Sequence, residues 1–362
     1  MRIAVVGCTH GELNTIYAKI EQINATEEPI QLLLCCGDFE SIRNDVDLMC
    51  VETPPKYLKY GDFIDYYTGA KVPPVLTIFI GGNHEASNYL QDLYYGGYVA
   101  PNIFYLGSAG VVQVNGLRIA GFSGIYDERD YKFGQHEKFP YSKKTRRSIY
   151  HTREFQAFQL GHLKEHIDIV MSHDWPRGIT TFGDATHVYR SIPTLEAQVV
   201  AGTFGSVAGE RVLHTLQPAH WFAGHMHVKF AADVAHDTGK TTKFLALDKC
   251  PHRDFMDVVD IPAPQESNTV KLQMDLEWLA VLRATHHLSS AQRIRPPLPE
   301  TPLPISPADM SWIESRLPSG QQTDWITSFQ FLPSASIGNP QTDELLALLD
   351  LPHVVTVPFQ SK

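Results

Sequence analysis

Seven candidate metal ligands, Cys8, His10, Asp38, Asn83, His173, His225 and His227, fall in five short strings: Cys8-Thr9-His10, Gly37-Asp38, Gly82-Asn83-His84-Glu85, His173-Asp174 and Gly224-His225-Met226-His227. Each string follows an apolar run, so each places polar groups where a strand becomes a loop. Histidine, aspartate and asparagine offer the nitrogen and oxygen donors that suit a divalent transition metal. Asp38 could bridge two ions through its two carboxylate oxygens. Asn83, His173 and His225 would then complete one site, and His10 and His227 the other. Cys8 is either a thiolate ligand of that second site or a small buried thiol standing beside it. Two ions about 3.5–4 Å apart clamp the attacking and leaving oxygens of a phosphoryl displacement. A thiolate favours zinc or iron(II) over magnesium or calcium, and the expected cofactors are two divalent ions, Fe(II), Zn(II) or Mn(II). The isolated histidines His136, His187, His236 and His286 are read as surface or core residues.

These strings need strands to hold them. The runs 2–7 (RIAVVG), 31–37 (QLLLCCG) and 75–82 (VLTIFIGG) have the length of buried strands, and each stops at glycine. A helical pattern lies over 13–23, and the alternation reads as α/β. Val111–Val114 and Leu117–Phe122, joined by Asn115-Gly116, predict a hairpin, because Asn-Gly is the strongest two-residue hairpin signal. Residues 123–150 show no clear period and read as a long loop. A helix is expected over 152–165. Strands are expected over 167–171, 221–224, 228–232 and 243–247, giving a mixed α/β chain with two packed sheets and helices outside. The character changes after 262. Residues 272–283 read as a helix, six prolines in 295–307 exclude a helix or central strand, and 343–349 is a short amphipathic piece. The expected division is a catalytic domain over 1–262 and an appended C-terminal region over 263–362, with a Pro-rich linker near 295–307.

The composition, 43% hydrophobic and 19% charged, is that of a globular chain. No run approaches the roughly 20 apolar residues that span a bilayer, and residues 1–10 are too short an apolar stretch for a secretory signal. Five scattered cysteines without a C-x-x-C pattern suit a reducing compartment. An intracellular protein with no membrane partner is expected. The net charge of −10 argues against a nucleic-acid partner only on average. Residues 129–153 reverse it locally, with eight basic residues against two acidic ones. Lys132, Lys143, Lys144, Arg146 and Arg147 are interleaved there with Tyr131, Phe133, Phe139, Tyr141 and Tyr150. Cations grip phosphates and rings stack on unpaired bases. A solvated loop whose charges serve solubility is the plainer alternative.

The set C-x-H, G-D, G-N-H-E, H and G-H-x-H resembles the calcineurin-like metallophosphoesterase superfamily, most of whose members carry Asp where this chain has Cys8. Longer strings are similar to one family within it, the lariat debranching enzymes: GCTHGELNTIY (7–17), LLLCCGDFESIRND (32–45), PPKY (54–57), FIGGNHEASN (79–88), VAPNIFYLGSAGVV (99–112), RSIYH (147–151), SHDWPRGI (172–179) and KFLALDKC (243–250). Cysteine in the first motif is usual in that family. The resemblance runs over roughly residues 1–260 and is weak beyond. It implies a sandwich of two mixed β-sheets flanked by helices, with both metals at the sandwich edge. It also implies hydrolysis of the 2′,5′-phosphodiester of branched intron RNA, and makes 123–150 the lariat recognition loop. One departure lies after Gly124-Ile125-Tyr126, where a basic residue and a histidine are common in the family and this chain has Asp127-Glu128-Arg129-Asp130.

His84 is the candidate general acid, since it follows the ligand Asn83 and an imidazole can give a proton near neutral pH. Asp174 or Glu85 would orient a ligand or the acid; alternatively Glu85 is a helix N-terminal carboxylate. A general phosphoesterase would share the five strings but lack the basic-aromatic loop. A non-catalytic RNA-binding scaffold on the same fold should have lost ligands, and none of the expected positions is lost. A monomer is expected, with lariat RNA as partner, splicing or RNA-turnover proteins as further candidates, and the nucleus, from which the protein could shuttle to the cytoplasm, as its place.

Overall fold

Strand positions follow the apolar runs closely in the computed structural model, which describes residues 1–265, 269–317, 324–325, 327–333 and 336–361. Among the described residues thirteen strands form: β1 (Arg2–Val6), β2 (Leu32–Cys35), β3 (Leu76–Phe79), β4 (Gly97–Ala100), β5 (Ile103–Tyr105), β6 (Ala109–Val114), β7 (Leu117–Phe122), β8 (Ile169–Ser172), β9 (His220–Ala223), β10 (Phe230–Ala235), β11 (Thr241–Ala246), β12 (Met256–Asp260) and β13 (Leu272–Met274). They make two mixed sheets, one ordered β12-β1-β2-β3-β5-β4 and the other β10-β11-β9-β8-β7-β6-β13.

The two-residue period of a strand explains the layering. Ile3 and Val5 point into the layer between the sheets with Leu32, Leu34, Ile78, Ile119, Ile169 and Phe222. Ala4, Val6, Leu33 and Phe79 point the other way, toward helices 13–24 and 63–67. Phe122, Val170, Trp221 and Phe244 back the second sheet against helices 154–160 and 207–216. Both faces of the central strands are therefore apolar, which is why they read as continuous runs. The Asn115-Gly116 turn is made as expected, with both residues at positive φ (49° and 80°) between paired β6 and β7.

Three expectations change. Residues 272–283 are not one helix: Leu272–Met274 pairs with the outer edge of β6, and the helix starts at Leu276, where the Asp275 side chain caps the N–H of Trp278 at 2.9 Å. The helix expected over 152–165 is limited to Glu154–Leu160. Residues 123–150 are not all loop, because Ser142 and Thr145 form a capping box that starts a helix over Lys143–Ser148.

The C-terminal region packs on the sandwich. Gln341, at the start of a helix over Pro340–Leu349, accepts from the N–H of Tyr98 and donates to its carbonyl, both at 2.8 Å. Trp325 meets the Phe104 ring edge-on at 4.6 Å. Thr342 donates to the Asp92 carbonyl at 2.6 Å. Burial beneath this helix pushes the Asp92 carboxyl up to about 7, although Arg43 and the N–H of Gly338 favour its charge. A folded-state pKa above the unfolded value of about 3.8 means stability is full below that value and is lost as pH rises through about 7. Asp92→Asn should therefore match wild type near pH 3.5, gain on it as pH rises, and melt at a higher temperature above pH 8, in paired thermal scans.

Candidate metal centre

All five strings leave the carboxyl ends of parallel strands. β1, β2 and β3 are parallel neighbours, as are β8 and β9. Their loops meet along one edge of the sandwich, where ligands bind in open α/β sheets. Backbone bonds lace the loops together: His10 N–H to Asp38 O at 2.7 Å, and Gly224 N–H to His173 O at 3.2 Å. Two glycines are required by close approach. A Cβ on Gly37 would lie 2.2 Å from His173 Nδ1, and one on Gly82 the same distance from Asp38 Oδ1. His10, Asp38, His225 and His227 all adopt positive φ, between 47° and 68°. For residues other than glycine that conformation is strained, at about 1–3 kcal/mol each.

The donors gather as two overlapping sets. Cys8, His10, Asp38 and His227 each offer an atom, and these atoms lie within 4.8 Å of one another. On the other side of Asp38, His173 Nε2 is 3.3 Å from Asp38 Oδ1 and 3.2 Å from Asn83 Oδ1. The His225 ring lies 5.0 Å from that of His173. The proton positions argue for cations. His173 gives its Nδ1 proton to the Cys36 carbonyl at 2.7 Å, and His10 Nδ1 faces Glu40 Oε1 at 3.3 Å. The His173 ring, its Nδ1 proton committed to a carbonyl, then turns a bare Nε2 lone pair inward. His173 Nε2 meets two oxygen acceptors, and His10 Nε2 meets His227 Nε2 at 3.2 Å. Acceptors crowded together without a shared proton repel unless a cation stands among them. The residues present therefore fit two ions that share Asp38.

Electrostatics agree. Burial opposes charge on Asp38, yet His173, His10, His84 and the His84 N–H hold its carboxyl far below the usual range. Burial lowers His173 and His225 and takes His227 down to about 3, favouring the neutral form a metal needs, whereas Glu40 and Asp38 raise His10 against its burial. Cys8 is fully buried; burial and the nearby Asp38 push its thiol up, and its sulfur accepts from the N–H of His225 at 3.0 Å. Glu85 is no helix cap. Its carboxylate accepts from the N–H of Phe39, Glu40 and Gly82 at 2.8–2.9 Å, so it clamps the turn that carries Asp38. Burial pushes it up to about 8 against those donors. Asp174 accepts from the N–H of Tyr126 at 3.1 Å and so ties the 123–150 segment to the centre. The His84 ring stands 5.6 Å from that of His10, with its buried Nδ1 unpartnered. Glu40 and the Cys36 carbonyl, which orient His10 and His173, were missed in the sequence; a carboxylate two residues after Asp38 was the one available signal.

The chain over residues 1–229 matches the family described as calcineurin-like phosphoesterase, and residues 239–354 match the lariat debranching enzyme, C-terminal domain. It is 41% identical over an alignment 380 positions long to a lariat debranching enzyme of Arabidopsis thaliana, covering 98% of this chain and 87% of that one. The chain belongs to the lariat debranching enzymes. The proteins of that name from Mus musculus and Homo sapiens are 51% and 49% identical over 80% of this chain, which spans 54% of the length of each. The debranching-enzyme C-terminal match begins before β11, so three strands of the sandwich, β11, β12 and β13, and residues 263–354 lie within it.

The proposed RNA-contacting residues of this debranching-enzyme chain separate by exposure. Lys132, Phe139, Lys143, Lys144 and Arg147 are exposed. Tyr131 is 7% exposed and packed in the core, so it cannot stack on a base. Phe133 lies under the Arg293 guanidinium at 4.5 Å, and the Tyr141 hydroxyl donates to Gln91 at 2.6 Å. Arg146 and Arg147 both bond Glu52, at 2.6 and 2.7 Å. Tyr150 lines a cleft beside Gly82, Glu85 and Ser123. The segment is anchored by a buried pair, Arg153 Nη2 to Glu137 Oε1 at 2.7 Å, with side chains 2% and 0% exposed. Removing one partner of such a pair strands a charge, at about 3–5 kcal/mol. Glu137→Ala should lower unfolding free energy by that amount in urea titrations.

Proposed function

We propose that the chain hydrolyses the 2′,5′-phosphodiester at the branch point of excised intron lariats, linearising them for turnover. The observation that carries this reading is the sandwich-edge centre of six ligand side chains around Asp38, in a chain of the debranching-enzyme family. A non-catalytic scaffold has no use for a complete donor set held in strained backbone.

One ion would be held by Cys8, His10, Asp38 and His227, the other by Asp38, Asn83, His173 and His225. When bound, such ions supply Lewis-acid neutralisation of phosphate oxygens and lower the pKa of water. Iron(II), zinc and manganese(II) are the candidates, and the sulfur donor favours the first two. The chain's own groups do the rest. Glu85 fixes the Asp38 turn, while Glu40 and the Cys36 carbonyl fix the tautomers of His10 and His173. His84 passes a proton from its imidazole to the departing 2′ oxygen, which is otherwise a poor leaving group. Exposed Lys132, Lys143, Lys144 and Arg147 supply phosphate contacts, and Phe139 and Tyr150 offer rings to unpaired bases. The chain acts as a monomer in the nucleus, where lariats arise and where splicing and RNA-turnover proteins are candidate partners.

The test is a synthetic RNA carrying both 2′,5′ and 3′,5′ linkages at one adenosine, offered with each of the three metals. Selective cleavage of the 2′,5′ bond is expected. Hydrolysis of simple phosphoesters with the branch left intact would make the chain a general phosphoesterase.

A further inference from the structure

The string Pro54-Pro55-Lys56-Tyr57 has no part in the centre, yet the structure puts it on display. Pro55–Tyr57 form a single 3₁₀ turn in an exposed stretch. Tyr57 is 63% exposed, with the Lys56 ammonium 4.6 Å over its ring, and Tyr60 is 44% exposed. Residues 54–60 hold two lysines and no acid in a chain of net charge −10; Lys59 pairs with Glu12 and the Tyr60 hydroxyl donates to Asp45, while Lys56 lies over Tyr57. Rings held open to solvent among cations are how proteins grip single-stranded nucleic acid without reading its sequence.

The stretch is joined to the metal centre. Gly61 packs against Gly11, the residue after His10, close enough that a Cβ on Gly61 would sit 2.7 Å from the Gly11 Cα. Asp62 N–H donates to the Gly11 carbonyl at 2.8 Å, and Lys59 reaches Glu12 at 2.9 Å. On its other side, Glu52 holds Arg146 and Arg147 of the basic helix. The exposed tyrosines thus lie on the length of chain that runs from that helix's partner Glu52 to the residues packed on the centre. A protein partner would need a wide apolar face; isolated rings beside lysines and a phosphodiester centre suit a polyanion.

We propose that residues 56–60 form a stacking platform for one unpaired arm of the branched RNA as it leaves the centre; this rests on the debranching reading. Tyr57 and Tyr60 carry bases, and Lys56 pairs with the backbone phosphate between them.

Fluorescence anisotropy of the full metal-loaded chain tests it, with two branched RNAs whose 2′ linkage is an uncleavable phosphonate. One has single-nucleotide arms and the other arms of about eight nucleotides. Tyr57→Ala is expected to weaken binding of the long-armed RNA about tenfold, and Tyr57→Phe to retain it. Lys56→Ala should lower the slope of log affinity against log salt by about 0.7. The short-armed RNA should bind all three variants alike. If Tyr57→Ala binds the long-armed RNA like wild type, as a protein-docking surface would, or weakens both RNAs equally, the platform is overturned and the debranching reading stands. If wild type binds neither RNA, both fall.

Discussion

His84→Ala should cut branch cleavage by about 10²–10⁴-fold, the usual contribution of a general acid, with metal content unchanged. His84 supplies no atom to either donor set; its ring lies 5.6 Å from that of His10, and its backbone N–H, which the substitution keeps, bonds Asp38 Oδ1 at 2.9 Å. The discriminating comparison is a diester with a nitrophenolate leaving group, which departs without a proton. That substrate should lose far less than branched RNA. Equal losses on both substrates, or loss of metal by elemental analysis, would make His84 a structural part of the centre rather than its acid.

Asp38→Ala should remove both ions at once. Its two oxygens face opposite ways, Oδ2 lying 3.6 Å from His10 Nε2 and Oδ1 3.3 Å from His173 Nε2. Metal ions contribute several kcal/mol of transition-state stabilisation, and at 1.36 kcal/mol per tenfold the loss is about 10³-fold or more. Ligand linkage gives an independent reading. Zinc should raise the melting temperature of wild type and leave the variant's unmoved. A variant retaining one tightly bound ion would overturn Asp38 as the shared ligand.

The five strings were legible because each needs only a strand end, and buried parallel strands announce themselves as apolar runs closed by glycine. Their convergence on one edge follows from topology that no local pattern contains. Errors arose where two local signals compete. Leu272–Met274 fits the helical period of the residues after it, and only the open edge of β6, far away in sequence, recruits it as a strand. Tyr131 failed for a related reason: an aromatic among charges looks solvent-facing until the core that takes it is known. Glu40 and the Cys36 carbonyl were invisible because an orienting group is defined by distance, and one of them is backbone.

The left-handed backbone at His10, Asp38, His225 and His227 has a consequence for how this chain can change. Most substitutions in a fold lower its stability, yet here glycine would relax the chain while deleting a ligand. With no metal bound, selection for heat resistance alone would favour glycine at these four positions and leave the sandwich intact. Four such residues side by side are therefore what bound ions would keep, against the preference of the metal-free fold.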